Sequence, residues 1–242
     1  MFSHQESFDH YKLHTLSDNK GTWLEIMPER GGIVSQLSVA GQLVFYLDRD
    51  TLNDASKNVR GGNPVLFPIC GPLAEGKYEL DGHTYTMKQH GFARNLPWSL
   101  INVETKEDAA AVTLRLENGL ATEQQYPFEF TVDFTYRLTR HGLTIEQRYH
   151  NRSNRPMPFY AGFHPYFAAP QKHAVNLSLP ASRFDDFISG QQRPAESIIN
   201  FDAAPEVNGA FLDLSGQHVQ VSNFGQPYTL EIEFSEPYRH IV

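Results

Sequence analysis

Phe128-Glu129-Phe130-Thr131-Val132-Asp133-Phe134-Thr135-Tyr136-Arg137-Leu138 decides the fold class of this chain. Phe128, Phe130, Val132, Phe134, Tyr136 and Leu138 fall on one face of an extended backbone; Glu129, Thr131, Asp133, Thr135 and Arg137 fall on the other. That period of two belongs to a half-buried antiparallel strand. Val112, Leu114 and Leu116 repeat it upstream, Leu143, Ile145 and Gln147 downstream, and Leu230, Ile232 and Phe234 near the end. Between Lys77 and Thr86, two alternating flanks enclose Asp81-Gly82, a pair that accepts the positive φ angles of a tight hairpin turn. Helical periodicity is scarce, and Thr51 to Asn58 offers one short turn. The expectation is an all-β chain, a single antiparallel sandwich domain over 1–242 with functional loops on a concave face.

Of the 242 residues, 40% are hydrophobic and 20% charged, enough apolar material for a core and contrary to disorder. A formal charge of −8 speaks against nucleic acid, whose phosphates call for a basic face. Cys70 is the only cysteine, so no intrachain disulfide forms, and it reads as a small buried apolar group. No apolar run approaches the ~18 residues of a membrane span. Met1–Ser7 has no basic region followed by an apolar stretch, so the expectation is a cytoplasmic protein without a membrane partner. Its oligomeric state is not legible. The chain ends Glu236-Pro237-Tyr238-Arg239-His240-Ile241-Val242, and the last residues open a strand instead of closing one. The expectation is a chain truncated at its C-terminus.

Chemistry concentrates in three islands. Arg60-Gly61-Gly62-Asn63-Pro64-Val65-Leu66-Phe67-Pro68 sets a guanidinium beside a sharp bend, where it can fork onto hydroxyls, a carboxylate or a phosphate; the residues alone slightly favour an arginine in a surface turn with a surface ion pair. In Gln89-His90-Gly91-Phe92-Ala93-Arg94, an extended backbone turns Gln89 and Gly91 away from His90, which either points into a cleft or caps a strand end. In Gly162-Phe163-His164-Pro165-Tyr166-Phe167, aromatic neighbours desolvate His164 and hold its pKa down, unless it is a core-edge histidine bonded to a carbonyl. His83, His141 and His150 read as solvated. No His-x-His or Glu-x-x-His spacing and no Gly-x-Ser-x-Gly elbow occurs, so neither a metal centre nor a hydrolase is expected.

Taken in order, these islands, with Trp98, resemble the aldose 1-epimerase (galactose mutarotase-like) family, leaning toward its hexose-6-phosphate 1-epimerase branch. The similarity runs from about Gly21 to the end. It implies an antiparallel β-supersandwich, here lacking its C-terminal strands, and interconversion of sugar anomers by acid/base ring opening without metal or cofactor. By that resemblance His164 donates a proton to the ring oxygen and His90 holds and polarises a small-molecule sugar or sugar phosphate. Arg60 binds hydroxyls or phosphate, with Arg94 as a second contact. Asn208, in Glu206-Val207-Asn208-Gly209-Ala210-Phe211, stands where the family has an aspartate. The family's base, a glutamate in a Glu-Pro dipeptide, lies beyond the strand that Ile241-Val242 opens; Glu236-Pro237 sits one strand too early. Loss of a general base removes ~10²–10⁴ in rate. The alternative is therefore a carbohydrate-binding module or pseudoenzyme that lacks the base.

Overall fold

The alternating stretch becomes one strand of a meander, and antiparallel pairing prevails throughout the computed structural model, which describes residues 1–171, 173–196, 198–202 and 206–242. Contacts divide the chain into two units, Met1–Ala168 and Ala169–Val242. In the first, β1 (Ser3–Asp9), β2 (Tyr11–Ser17), β3 (Trp23–Met27), β4 (Ile33–Val39) and β5 (Gln42–Leu43) form one sheet in chain order. Helix α1 (Arg49–Asn53), the short β6 (Val65–Leu66) and the hairpin of β7 (Lys77–Leu80) with β8 (His83–Thr86) follow. The meander comprises β9 (Ser99–Thr105), β10 (Ala109–Glu117), β11 (Phe130–Thr139) and β12 (Gly142–Asn151), with α2 (Leu120–Glu123) between β10 and β11. β13 (Gly162–Phe163) then returns to pair with β6.

On β11, Phe130, Val132, Phe134, Tyr136 and Leu138 are buried, and the register sets Val112 against Tyr136 and Leu114 against Phe134. Each such side chain contributes about 1.5–3 kcal/mol by leaving water. On the opposite face, Arg115 forks onto Asp133 through Nε and Nη2, both at 2.7 Å. The predicted hairpin forms, with Asp81 at φ 50° and Gly82 at φ 75°. α1 begins two residues before the predicted turn because Asp48 caps it, accepting the N–H groups of Asp50 and Thr51.

One buried hydrogen bond ties the meander to the first sheet. The Tyr136 hydroxyl donates to the Gly32 carbonyl at 2.6 Å, and burial pushes its pKa far up. Tyr136→Phe leaves that carbonyl unsatisfied and is expected to cost about 1–3 kcal/mol, measured as a lowered urea midpoint at unchanged slope.

In Ala169–Val242 the strands are β14 (Ala174–Ser178), β15 (Arg183–Asp186), β16 (Gln192–Pro194), β17 (Ile198–Asn200), β18 (Gly209–Leu212), β19 (His218–Ser222) and β20 (Leu230–Glu233). They pair in the orders β17-β14-β19-β20 and β16-β15-β18. Phe184 and Phe211 pack at 4.7 Å, and Ile241 bridges Phe211. Among the described residues no helix is long and apolar enough to cross a membrane.

Candidate active site

Residues Asn63–Gly71 run between the two histidine islands and fix both. On one side β6 pairs with β13, and the His164 N–H donates to the Pro64 carbonyl at 3.2 Å. On the other, the Phe67 carbonyl accepts the N–H groups of Phe92 and Ala93 at 3.0 and 3.1 Å, and the Gly71 carbonyl accepts that of His90 at 3.0 Å. Phe67 anchors this central stretch in an aromatic cluster, with Phe130 at 5.2 Å, Tyr149 at 5.7 Å and Phe92 at 6.0 Å between ring centroids. The Trp98 indole N–H donates to the Ala93 carbonyl at 3.1 Å and fixes the far end of the His90 island. As a result the imidazoles of His90 and His164, 74 positions apart in sequence (164 − 90), lie 5.7 Å apart between centroids with their planes at 80°.

His90 is not in extended backbone. Its φ is +70°, a left-handed conformation that is uncommon outside glycine and clusters at functional sites. That turn brings its Nδ1 to the Gly71 N–H, which donates to it at 3.0 Å. Nδ1 is therefore the acceptor, and the neutral ring carries its proton on Nε2. Burial, then the Arg94 charge, then His164 push the pKa down to about 4. A histidine whose pKa falls from 6.5 to about 4 on folding stabilises the fold fully above pH 6.5. That stability is lost as the pH drops toward 4, because only the unfolded ring takes up a proton in this window. His90→Ala is expected to flatten the decline of the urea midpoint between pH 6.5 and 4.5.

His164 meets one aromatic ring where the sequence predicts three. Phe163 turns inward onto Phe134 at 5.7 Å, as its neighbouring strand position requires, and Phe167 packs on Phe45 at 5.9 Å. Of the three predicted aromatics, Tyr166 alone lies over the imidazole, at 4.9 Å and 30°. The residue has an exposed edge, yet partial burial lowers its pKa; the Arg94 charge adds to this, while a hydrogen bond to its own backbone carbonyl opposes it. Arg94 donates from Nη2 to the Gln89 carbonyl at 3.0 Å, and its Nε is buried without a hydrogen-bond partner. It lines a crevice with Arg30, Ile33, Val59 and Pro64. Burial lowers its pKa, and Tyr166 opposes the shift.

A family model described as Aldose 1-epimerase matches residues 12–210. The chain belongs to the aldose 1-epimerase family. The crystal structure of Slr1438 protein from Synechocystis sp. PCC 6803 is 37% identical, with a TM-score of 0.91 over 98% of this chain and 83% of that one. A galactose mutarotase-like protein from Lactobacillus casei ATCC 334 shares the fold at 22% identity, with a TM-score of 0.72 over 98% of this chain and 81% of that one. A protein of Escherichia coli (strain K12) named "Putative glucose-6-phosphate 1-epimerase" is 30% identical over 60% of this chain and 45% of its own length. The chain thus spans less than half of that curated relative in the match.

Within this aldose 1-epimerase family member, His90, His164 and Arg94 come together in Met1–Ala168, since the Arg94 charge acts on both rings. Arg60, in the same unit, is exposed; its N–H donates to Thr51 Oγ1 and its carbonyl accepts the Asp48 N–H, both at 2.9 Å. Asn208 belongs to Ala169–Val242, is exposed, and accepts the Phe187 N–H through its carbonyl at 2.9 Å. Two participants escape sequence reasoning. Gly71 fixes the His90 tautomer from 19 positions away, and Tyr166, expected only as apolar surroundings, touches His164 and acts on Arg94. Cys70 is partly buried, and burial pushes its thiol up, away from nucleophilic use.

Proposed function

We propose that this family member interconverts the α and β anomers of a hexose or hexose 6-phosphate by acid/base opening of the hemiacetal ring. The observation that carries this reading is the pair of imidazoles at 5.7 Å with unequal roles. His90, with a pKa near 4 and Nδ1 engaged by Gly71, stays neutral near pH 7 and offers only Nε2–H. It holds and polarises a sugar oxygen. His164 is the ring that changes charge. Protonated, it gives its proton to the ring oxygen as the bond from C1 to that oxygen breaks; the C1 hydroxyl proton leaves to water and C1 becomes an aldehyde carbon. Rotation about C1–C2 and reversal of the same transfers close the other anomer. The step is redox-neutral. Arg94, with a buried, unpartnered Nε, supports a hydroxyl or phosphate contact, and Arg60 is assigned to the phosphate. The printed name of the Escherichia coli relative supports the 6-phosphate.

Saturation transfer between anomer resonances of glucose and glucose 6-phosphate tests this directly: the folded chain is expected to accelerate exchange of at least one. The rate should rise as pH falls from 8 toward 6, because the lowered pKa of His164 leaves little of its donor form above that range. A base role for His164 would reverse the slope.

A second reading, sugar binding without turnover, is favoured by one observation. Among the described residues, Arg94 and His164 are the charged groups acting on His90 and Arg94 is the one acting on His164; no carboxylate is among them. Calorimetric sugar binding without accelerated exchange selects this reading, and absence of both rejects the two together.

A further inference from the structure

The first hairpin carries a second histidine cluster. Alternation along β1 sets His4 and Glu6 on one face, and the register places His14 directly across from Glu6 on β2. His4 Nε2 and His14 Nδ1 are 3.0 Å apart, and Glu6 Oε1 lies 3.8 Å from the same His14 nitrogen. The two rings stack at 5.3 Å and 11°. His14 is 0% exposed, and its Nε2 has no hydrogen-bond partner, so all of its side-chain polar contact runs through Nδ1 into the cluster. Lys12 Nζ approaches the other Glu6 oxygen, Oε2, at 3.7 Å and leaves Oε1 turned to the imidazoles.

We propose that His4, Glu6 and His14 bind one borderline divalent cation, Zn²⁺ foremost. Each offers one ligand atom, and the three atoms lie within 4.8 Å of one another. Ligands about 2.0–2.1 Å from a common zinc ion sit roughly 3 Å apart, so only small side-chain movements are needed. Two imidazole nitrogens with one carboxylate oxygen suit zinc and its transition-metal neighbours, whereas Mg²⁺ and Ca²⁺ prefer all-oxygen sets. The cation replaces the proton now shared between His4 and His14, and water completes its coordination on the exposed Glu6 side. β1 is an edge strand whose sheet partner is β2, so the ion staples that edge to the sheet. Among the described residues, none of the cluster is among the charged groups acting on His90 or His164, so metal uptake is read separately from anomer exchange. Spacing rules miss it because the ligands come from two paired strands.

The test uses the untagged chain, with Zn²⁺ uptake followed by calorimetry and Co²⁺ uptake by its visible d–d absorption. The expected result is one saturable equivalent, a Zn²⁺-dependent rise in Tm, and affinity weakened by more than about tenfold in both His4→Ala and Glu6→Gln. Both variants spare the buried His14 and are checked for fold by circular dichroism. No saturable binding, or unchanged affinity in either variant, overturns the proposal.

Discussion

His164→Ala is expected to lower catalysed anomer exchange by about 10²–10⁴-fold, the contribution of a positioned general acid. The fold should survive, because the side chain keeps an exposed edge and the residue's attachment to the sheet is a backbone bond to Pro64. Circular dichroism and the urea midpoint should therefore change little while the saturation-transfer rate collapses. His164→Gln sharpens the test: it can still hydrogen-bond a sugar but cannot deliver a proton, so binding should persist while exchange is lost. Exchange rates that survive in both variants would remove His164 from the chemistry.

Gly91→Ala should have the largest effect on stability. Its φ is +69°, and an added Cβ would lie 2.3 Å from the Phe67 carbonyl oxygen and 2.8 Å from Pro68 Cδ. The left-handed backbone costs a β-carbon about 1–3 kcal/mol. Overpacking against a fixed backbone adds about 1–3 kcal/mol. A destabilisation on the order of 4 kcal/mol follows, seen as a lowered urea midpoint. Relief of the contact moves the preceding residue, His90, away from Gly71, so sugar affinity should fall as well. A stability change within about 0.5 kcal/mol, that of an ordinary surface substitution, would mean that the two islands are not clamped as described.

Legibility in the sequence followed how local the cause is. The alternation from Phe128 to Leu138 predicts β11 because side-chain period is a property of consecutive residues, and Asp81-Gly82 predicts its hairpin because turn chemistry is equally local. Extended backbone at His90 was the wrong expectation. Its left-handed turn is imposed by pairing with Gly71 and Phe67, which no neighbouring residue announces. The aromatic surroundings expected of His164 reduced to Tyr166, because adjacent strand positions face opposite ways and the partly buried Phe163 packs on Phe134 instead. The approach of His90 to His164 came from the resemblance, since nothing in either island alone encodes a contact across 74 positions (164 − 90). Cross-strand geometry also hid the His4, Glu6 and His14 cluster, where the register of β1 against β2 supplies what spacing rules look for in one segment.

Histidine-labelled nuclear magnetic resonance during a glucose 6-phosphate titration tests the central claim most directly, that His90 and His164 serve one sugar. The account predicts that both ring signals shift along a single saturation curve, with the His90 proton staying on Nε2 throughout. Bound sugar that moves only one ring, or neither, would contradict it.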